Sequence, residues 1–445
     1  MLTLCNVYGF LSLSSEKLNI FCAIMKNYFF LLGFIAALFM TACSNDIDDR
    51  LKEERPESEQ PVTRHSYTPV QLNETQQAIN AKLQEFSWKL FKEVYAGRNP
   101  GVNLMISPIS LEVDLGMFIN GLEGETLQEV LKTMGLEGFS KEQINDFFKT
   151  MMNGIEKADE AAIFRSANSF WYNKNKEVNK DFVSAIQGNY DAKAEAVDFS
   201  APNTKDIINA WCAEKTENRI KKMVDETSDD DLFHLMNAVY FKSRWETVFS
   251  KKQTSRQPFN YADGTTADVD MMHRQYYTLY MENDSYQFGV NPFIDGSFQM
   301  IFILPKEGVE VADAIPSVVS RETLASFGKT VNLDLYVPKF TSEYTEEKLF
   351  PLMANINPSL KFQPEEINVF TEPVEEIDMK SLQRTFFLMD EEGAEAAATS
   401  VKMGLGEAGT DPNIENKVMR LDRPFFYAIV ESKTFCPLFI GYYGN

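Results

Sequence analysis

The stretch Asp390–Gly409 reads DEEGAEAAATSVKMGLGEAG, and it lies between two apolar segments, TFFLMD (Thr385–Asp390) and PFFYAIV (Pro424–Val430). A strand inside a core normally carries Val, Ile or Phe. Alanine and threonine suit a segment that is an exposed loop in one state and a buried strand in another. The loop must avoid sticky apolar groups, and the added strand must not overpack the core beneath it. Composition alone reads the stretch as an Ala/Gly linker. Its place between two strands of one fold argues instead for a long functional loop within a compact domain. Gly393 at its base supplies the backbone freedom of a hinge.

The chain has 445 residues, enough for one large domain or two ordinary ones. An apolar fraction of 44% with 35 phenylalanines implies a substantial core. The net charge of -22 argues against a basic, phosphate-tracking face, so nucleic acid is not an expected partner. The surplus acid reads as solvated surface. Five cysteines occur without a CxxC pair, which argues against a disulfide framework or zinc ribbon. Cys212 and Cys436 read as small buried hydrophobes.

Motifs for catalysis are missing. There is no GxSxG, HExxH or Walker loop, and His65, His234 and His273 are scattered. Gly404–Gly409 matches GxGxxG, but Pro412 follows at once and too little chain remains for a βαβ unit. No enzyme activity, cofactor or metal site is expected.

The N-terminal region reads as export and tether. Met25–Cys43 has Lys26, an apolar run from Tyr28 to Met40, and small residues before Cys43, the pattern of a signal peptide. Residues 1–24 precede it as a start called too early. The ending Met40-Thr41-Ala42-Cys43 resembles a bacterial lipobox, which implies lipidation of Cys43 and a membrane contact through the lipid alone. Residues 43–72 read as a flexible polar tether. Its early acidic residues resemble the surface-export signal of Bacteroides-like lipoproteins. The implied location is the outer membrane or cell surface, facing the extracellular space or the periplasm.

Beyond the tether, Ile79, Leu83, Phe86, Leu90 and Val94 recur at helical spacing and Gly97 ends the run. Further helices are predicted over 125–134 and 203–219. Strand patterns dominate from Leu232 onward, in LFHLMNAVYFKSRW, FQMIFILP, VNLDLYVPKF, TFFLMD and FFYAIV. Helices early and strands late predict one α+β domain.

Residues 73–445 closely resemble a serpin. Asp390–Thr399 resembles the proximal hinge of an inhibitory reactive loop, and Arg423–Phe426 and Pro437–Gly441 resemble the C-terminal signatures. Ile106–Ser110, Asn237–Glu246, Met271-Met272 and Val337–Phe340 resemble core motifs of the family. The resemblance implies helices around a large mixed main sheet, smaller sheets and a reactive loop over about 391–422. It implies a monomer that traps serine proteases, with cysteine proteases as a further class, by inserting the cleaved loop into the main sheet. The hinge is then Glu391, Gly393, Ala394, Glu395, Ala396, Ala397 and Ala398. Ala394 stands where the family usually carries Thr or Ser. The sheet-opening cluster is Ser107, Ser110 and Asn237, with Gln383 in place of a histidine. Sixteen residues on from Glu391, family spacing places the reactive bond at Glu407-Ala408. Cleavage after Lys402, Met403 or Leu405 is the alternative, because an inward-facing Lys402 would be expensive to bury.

Cys43→Ala is expected to release the protein from membranes while leaving its solution behaviour unchanged. Fractionation checks this, and a variant that stays membrane-bound would overturn the lipobox reading.

Overall fold

The computed structural model describes residues 66–99, 101–373, 380–394 and 414–445. In chain order the elements begin with α1 (Glu74–Ala96), β1 (Leu104–Ile106), α2 (Pro108–Phe118), α3 (Gly124–Met134), α4 (Lys141–Glu156), β2 (Ile163–Asn173), α5 (Lys180–Tyr190), β3 (Lys193–Val197), α6 (Thr204–Lys215) and β4 (Phe233–Arg244). There follow β5 (Ser255–Asn260), β6 (Thr266–Glu282), β7 (Tyr286–Pro292), β8 (Phe298–Pro305), α7 (Arg321–Phe327), β9 (Lys329–Pro338), β10 (Phe340–Glu346) and α8 (Leu349–Ile356). The chain closes with β11 (Lys380–Met389), β12 (Gly393–Ala394), β13 (Asn416–Arg420), β14 (Phe425–Glu431) and β15 (Pro437–Tyr443). Helices are concentrated early and strands late, as the sequence pattern predicts, although β1–β3 lie among the early helices and α7 and α8 among the late strands.

Local chemistry sets the helix ends. Asn73 caps α1 by accepting from the Gln76 backbone, and the Gln76 side chain accepts from the Asn73 backbone in return. The predicted apolar stripe of α1 is buried along its length. Pro108 occupies the first position of α2, where its missing N–H is harmless. Gly135 ends α3 with φ 74°, a left-handed angle that glycine adopts at little cost.

Two sheets organise the core. The main sheet has six strands in the order β10-β11-β12-β4-β2-β3, with β11 and β4 also pairing directly. The second runs β1-β15-β14-β8-β7-β6-β9-β13, with β5 on β6. Helix α2 lies between them, packed on β4 and β11 on one side and β15 on the other. All of its residues are buried. Ile109, Leu111, Val113 and Leu115 are fully covered, each worth roughly 1.5–3 kcal/mol of transfer free energy. The same helix also buries two acids, Glu112 and Asp114.

Candidate functional site

Strands β4 and β11 run parallel and pair directly at one end of the main sheet, from His234–Ala238 against Lys380–Arg384. Toward the other end β12 separates them. Ala394 pairs with Met389 on one side and with Ser243 on the other, antiparallel to both. Between these zones, Val239–Lys242 and Thr385–Leu388 make no ladder to each other. The seam is therefore shut at one end and wedged open at the other by the first two residues of the loop.

Close fit explains the wedge. Ala394 is completely buried. Gly393 has φ 156°, and a Cβ there would collide with the Ser243 carbonyl oxygen and Arg244 Cα. The hinge glycine thus answers a close backbone approach as well as the conformational demand anticipated for it.

A tight turn holds the wedge in place. Asp390 Oδ1 accepts from the backbone N–H groups of Glu392 (2.8 Å) and Gly393 (3.2 Å). The Trp245 indole N–H donates to the Asp390 carbonyl at 2.9 Å. The Trp245 backbone donates to Glu392 O (2.9 Å) and the Phe249 backbone to Glu391 O (2.8 Å). Trp245 is fixed in turn by stacking on Phe293, with ring centroids 4.5 Å apart.

Glu391 and Glu392 point into this clamp and are nearly fully buried. Glu391 lies 2.9 Å from Lys339 Nζ and accepts from the Thr254 hydroxyl, also at 2.9 Å. Glu392 lies 3.0 Å from Lys251 Nζ. Burial pushes the Glu391 carboxyl up, but its bonds to Lys339, the backbone and Thr254 outweigh this and hold it below the usual value.

Farther along the seam, Gln383 bonds the backbone of Ser107. Its amide donates to the Ser107 carbonyl (2.9 Å) and accepts from the Ser107 backbone N–H (2.8 Å). This pair ties β11 to the start of α2. The expected four-residue cluster is not one network. Asn237 turns to β2 instead, donating to Ser166 Oγ (2.9 Å) and to Asn168 Oδ1. The Ser107 and Ser110 hydroxyls, fully buried, have no hydrogen-bond partner among the described residues. The reason is register: Asn168 stands directly opposite Asn237 and supplies the nearer acceptor.

Chemistry elsewhere is structural. His234 pairs with Asp231 at 3.0 Å and His273 with Asp334 at 2.6 Å. Cys212 and Cys436 are buried free thiols. Burial pushes Cys212 up to about 12, against a small opposing effect of Arg384. Among the described residues no group of His, Cys, Asp and Glu could hold a metal. Cys43, His65, Glu395, Ala396, Ala397, Ala398, Lys402, Met403, Leu405, Glu407 and Ala408 lie outside the described residues.

Residues 81–445 match the model of the Serpin (serine protease inhibitor) family. The chain belongs to the serpin family. It is 26% identical over 421 residues to an uncharacterized serpin-like protein of Thermococcus kodakarensis, covering 92% of this chain and 97% of that one. Among solved structures it is similar to the thermophilic serpin tengpin in its native state. The TM-score is 0.75 at 27% identity, over 86% of this chain and 97% of tengpin. Thyroxine-binding globulin complexed with thyroxine shares the fold, with a TM-score of 0.70 at 20% identity over 83% and 99% of the two chains.

Sequence reasoning passed over Thr254, Lys251 and the clamp role of Trp245 and Lys339. Trp245 and Lys339 do sit within segments singled out as core motifs, which was the available signal.

The clamp is expected to weaken in acid. Glu391 is held ionised below the usual 4.5, so its contribution is complete above that value and is lost as pH falls through the lowered one. In a variant with Trp88, Trp171 and Trp211 replaced by Phe, emission from Trp245 should shift on acidification below about pH 4.5. Glu391→Gln should remove most of that dependence. An unchanged transition in the variant would exclude Glu391 as its source.

Proposed function

We propose that this serpin is a suicide inhibitor of serine proteases, with cysteine proteases as a further class, tethered to the cell surface through Cys43. The observation that carries the proposal is the antiparallel two-residue wedge between parallel strands β4 and β11. A gap between parallel neighbours accepts one antiparallel strand. Filling it replaces one short parallel ladder by two antiparallel ones, which are slightly more stable per residue. Loop insertion by serpins is an established example of strand addition.

The intact loop is held at both ends. Its near end is β12, in the main sheet. Its far end is β13, paired in parallel with β9 in the other sheet. Residues beyond Ala394 can follow β12 into the seam only when the chain is cut. A protease that attacks the loop forms an acyl-enzyme, and the freed segment then inserts and carries the protease with it before the ester hydrolyses. Glu407-Ala408 is the proposed reactive bond, with cuts after Lys402, Met403 or Leu405 as the alternatives. The serpin supplies no catalytic group; those belong to the protease.

Magnitudes show why small side chains matter. Insertion adds on the order of ten backbone hydrogen bonds at roughly 1 kcal/mol net each. Ordering a strand costs roughly 1–2 kcal/mol per residue. The two nearly cancel, so packing of the inward side chains decides the sign. Ala394 already faces the core, and alternation turns Ala396 and Ala398 the same way.

Ala396→Arg is expected to convert inhibitor into substrate, because the inserted strand would bury an unpaired charge at a cost of several kcal/mol. Gel-stable complexes with a serine protease should disappear while loop cleavage persists. Undiminished complex formation would overturn the insertion mechanism.

Cutting the loop should raise the denaturation midpoint of the wild-type protein sharply. Equal midpoints before and after cleavage would favour a non-inhibitory binding or carrier role.

A further inference from the structure

β11 has a second attachment, on the face of the sheet away from α2. Ser381, Gln383 and Thr385 bond α2 and β1, so alternation turns Leu382, Arg384 and Phe386 the other way. Arg384 forms the last rung of the short ladder to β4, opposite Ala238. Its guanidinium lies 3.1 Å from Asp225, in the connector of residues 216–232 that joins α6 to β4. That connector is packed on the far side of the seam. Its Ile220, Met223 and Val224 are buried with Trp171 of β2 and with Met236 and Ala238 of β4, and Leu382 of β11 only borders this cluster. Asn209 of α6 fixes the connector further, accepting from the backbone of Met223 (2.7 Å) and Val224 (2.9 Å).

An open pocket of about 530 Å³ lies where the connector, β10 and β11 meet. Arg219, Lys221 and Lys222 line it from the connector, Arg384 from β11 and Glu343 from β10. Those residues are four cations and one acid, on a chain whose net charge is -22. A concave wall of one sign concentrates ions of the other. Asp225 beside the pocket does not cancel the surplus, because Lys222 and Arg384 share it. Lys221 is exposed and has no ion-pair partner among the described residues. Guanidinium forks take two oxygens of a phosphate or sulfate at once, and lysines add point charge. One carboxylate would satisfy one such fork. Cations spread over two elements suit a ligand with several anionic groups.

We infer that this pocket binds a small ligand bearing several phosphate or sulfate groups, and that the bound anion latches β11 to the α6–β4 connector and slows opening of the seam. The binding stands on the pocket alone. The effect on opening rests on the insertion mechanism proposed above. Held by Lys221 and Lys222 on one side and by Arg384 on the other, the anion bridges the two bodies that must part when a strand enters between β4 and β11. It adds to the single Arg384–Asp225 contact that spans them in its absence. Slower insertion leaves more time for the acyl-enzyme ester to hydrolyse. The latch thus shifts the outcome from trapped protease to cleaved serpin.

Calorimetry of the full-length chain tests the site, with inorganic tripolyphosphate and sucrose octasulfate as probes. Saturable one-site binding of at least one probe is expected, and the tighter of the two identifies the preferred group. Lys221→Gln and Arg384→Gln should each weaken it roughly tenfold, the loss of one charge-assisted contact. Lys89→Gln, on the exposed side of α1, should not. Lys221 is a surface residue, so its variant keeps the test independent of any folding defect from Arg384→Gln. Binding of neither probe, or equal weakening by Lys89→Gln, refutes the site. The latch is read with a serine protease, as the number of serpin chains consumed per protease trapped. Saturating probe should raise that number about twofold or more in the wild type, as expected when opening slows by a contact of this strength, and should not move it in Lys221→Gln. One-site binding with an unchanged number refutes the latch and upholds the site. A protein that traps no protease even without probe overturns the insertion mechanism and the latch with it, while the calorimetry still decides the site.

Discussion

Everything in the main sheet turns on one unfinished strand. β4 and β11 are parallel neighbours held together over a short ladder, and among the described residues the element that separates them is the pair Gly393-Ala394. Backbone groups along a sheet seek partners, and an antiparallel strand placed in this seam meets two ladders at once. The seam between them is the place where the insertion proposed above would add a strand.

The surrounding side chains set how firmly that state is kept. At one end, the Asp390 turn, Trp245 and the paired glutamates fasten the first residues of the loop without letting more enter. Along the seam, Gln383 ties β11 to the Ser107 backbone, so β11 cannot slide from α2 without breaking two hydrogen bonds. Deeper still, Asp114 bonds Ser381 from below. Each fastening belongs to the closed arrangement.

Buried polar groups are concentrated beneath the seam. α2 carries Ser107 at its cap, Ser110, Glu112 and Asp114 within an otherwise apolar helix.

Much of this was legible in the residues themselves. Helical spacing from Ile79 to Val94 and the switch to strand patterns after Leu232 indicated an α+β chain, because periodicity is a local property. Gly393 could be singled out because a glycine's backbone freedom is local too. Two things needed the tertiary structure. The clamp joins residues as far apart as Thr254, Lys339 and Glu391, and no local pattern marks them as neighbours. Asn237 chooses Asn168 over Gln383 because of strand register, which is set by the whole sheet. Sequence determines which side chains can be buried; the three-dimensional pairing of strands determines what each meets there, and an ionisable group is costly or useful according to that partner.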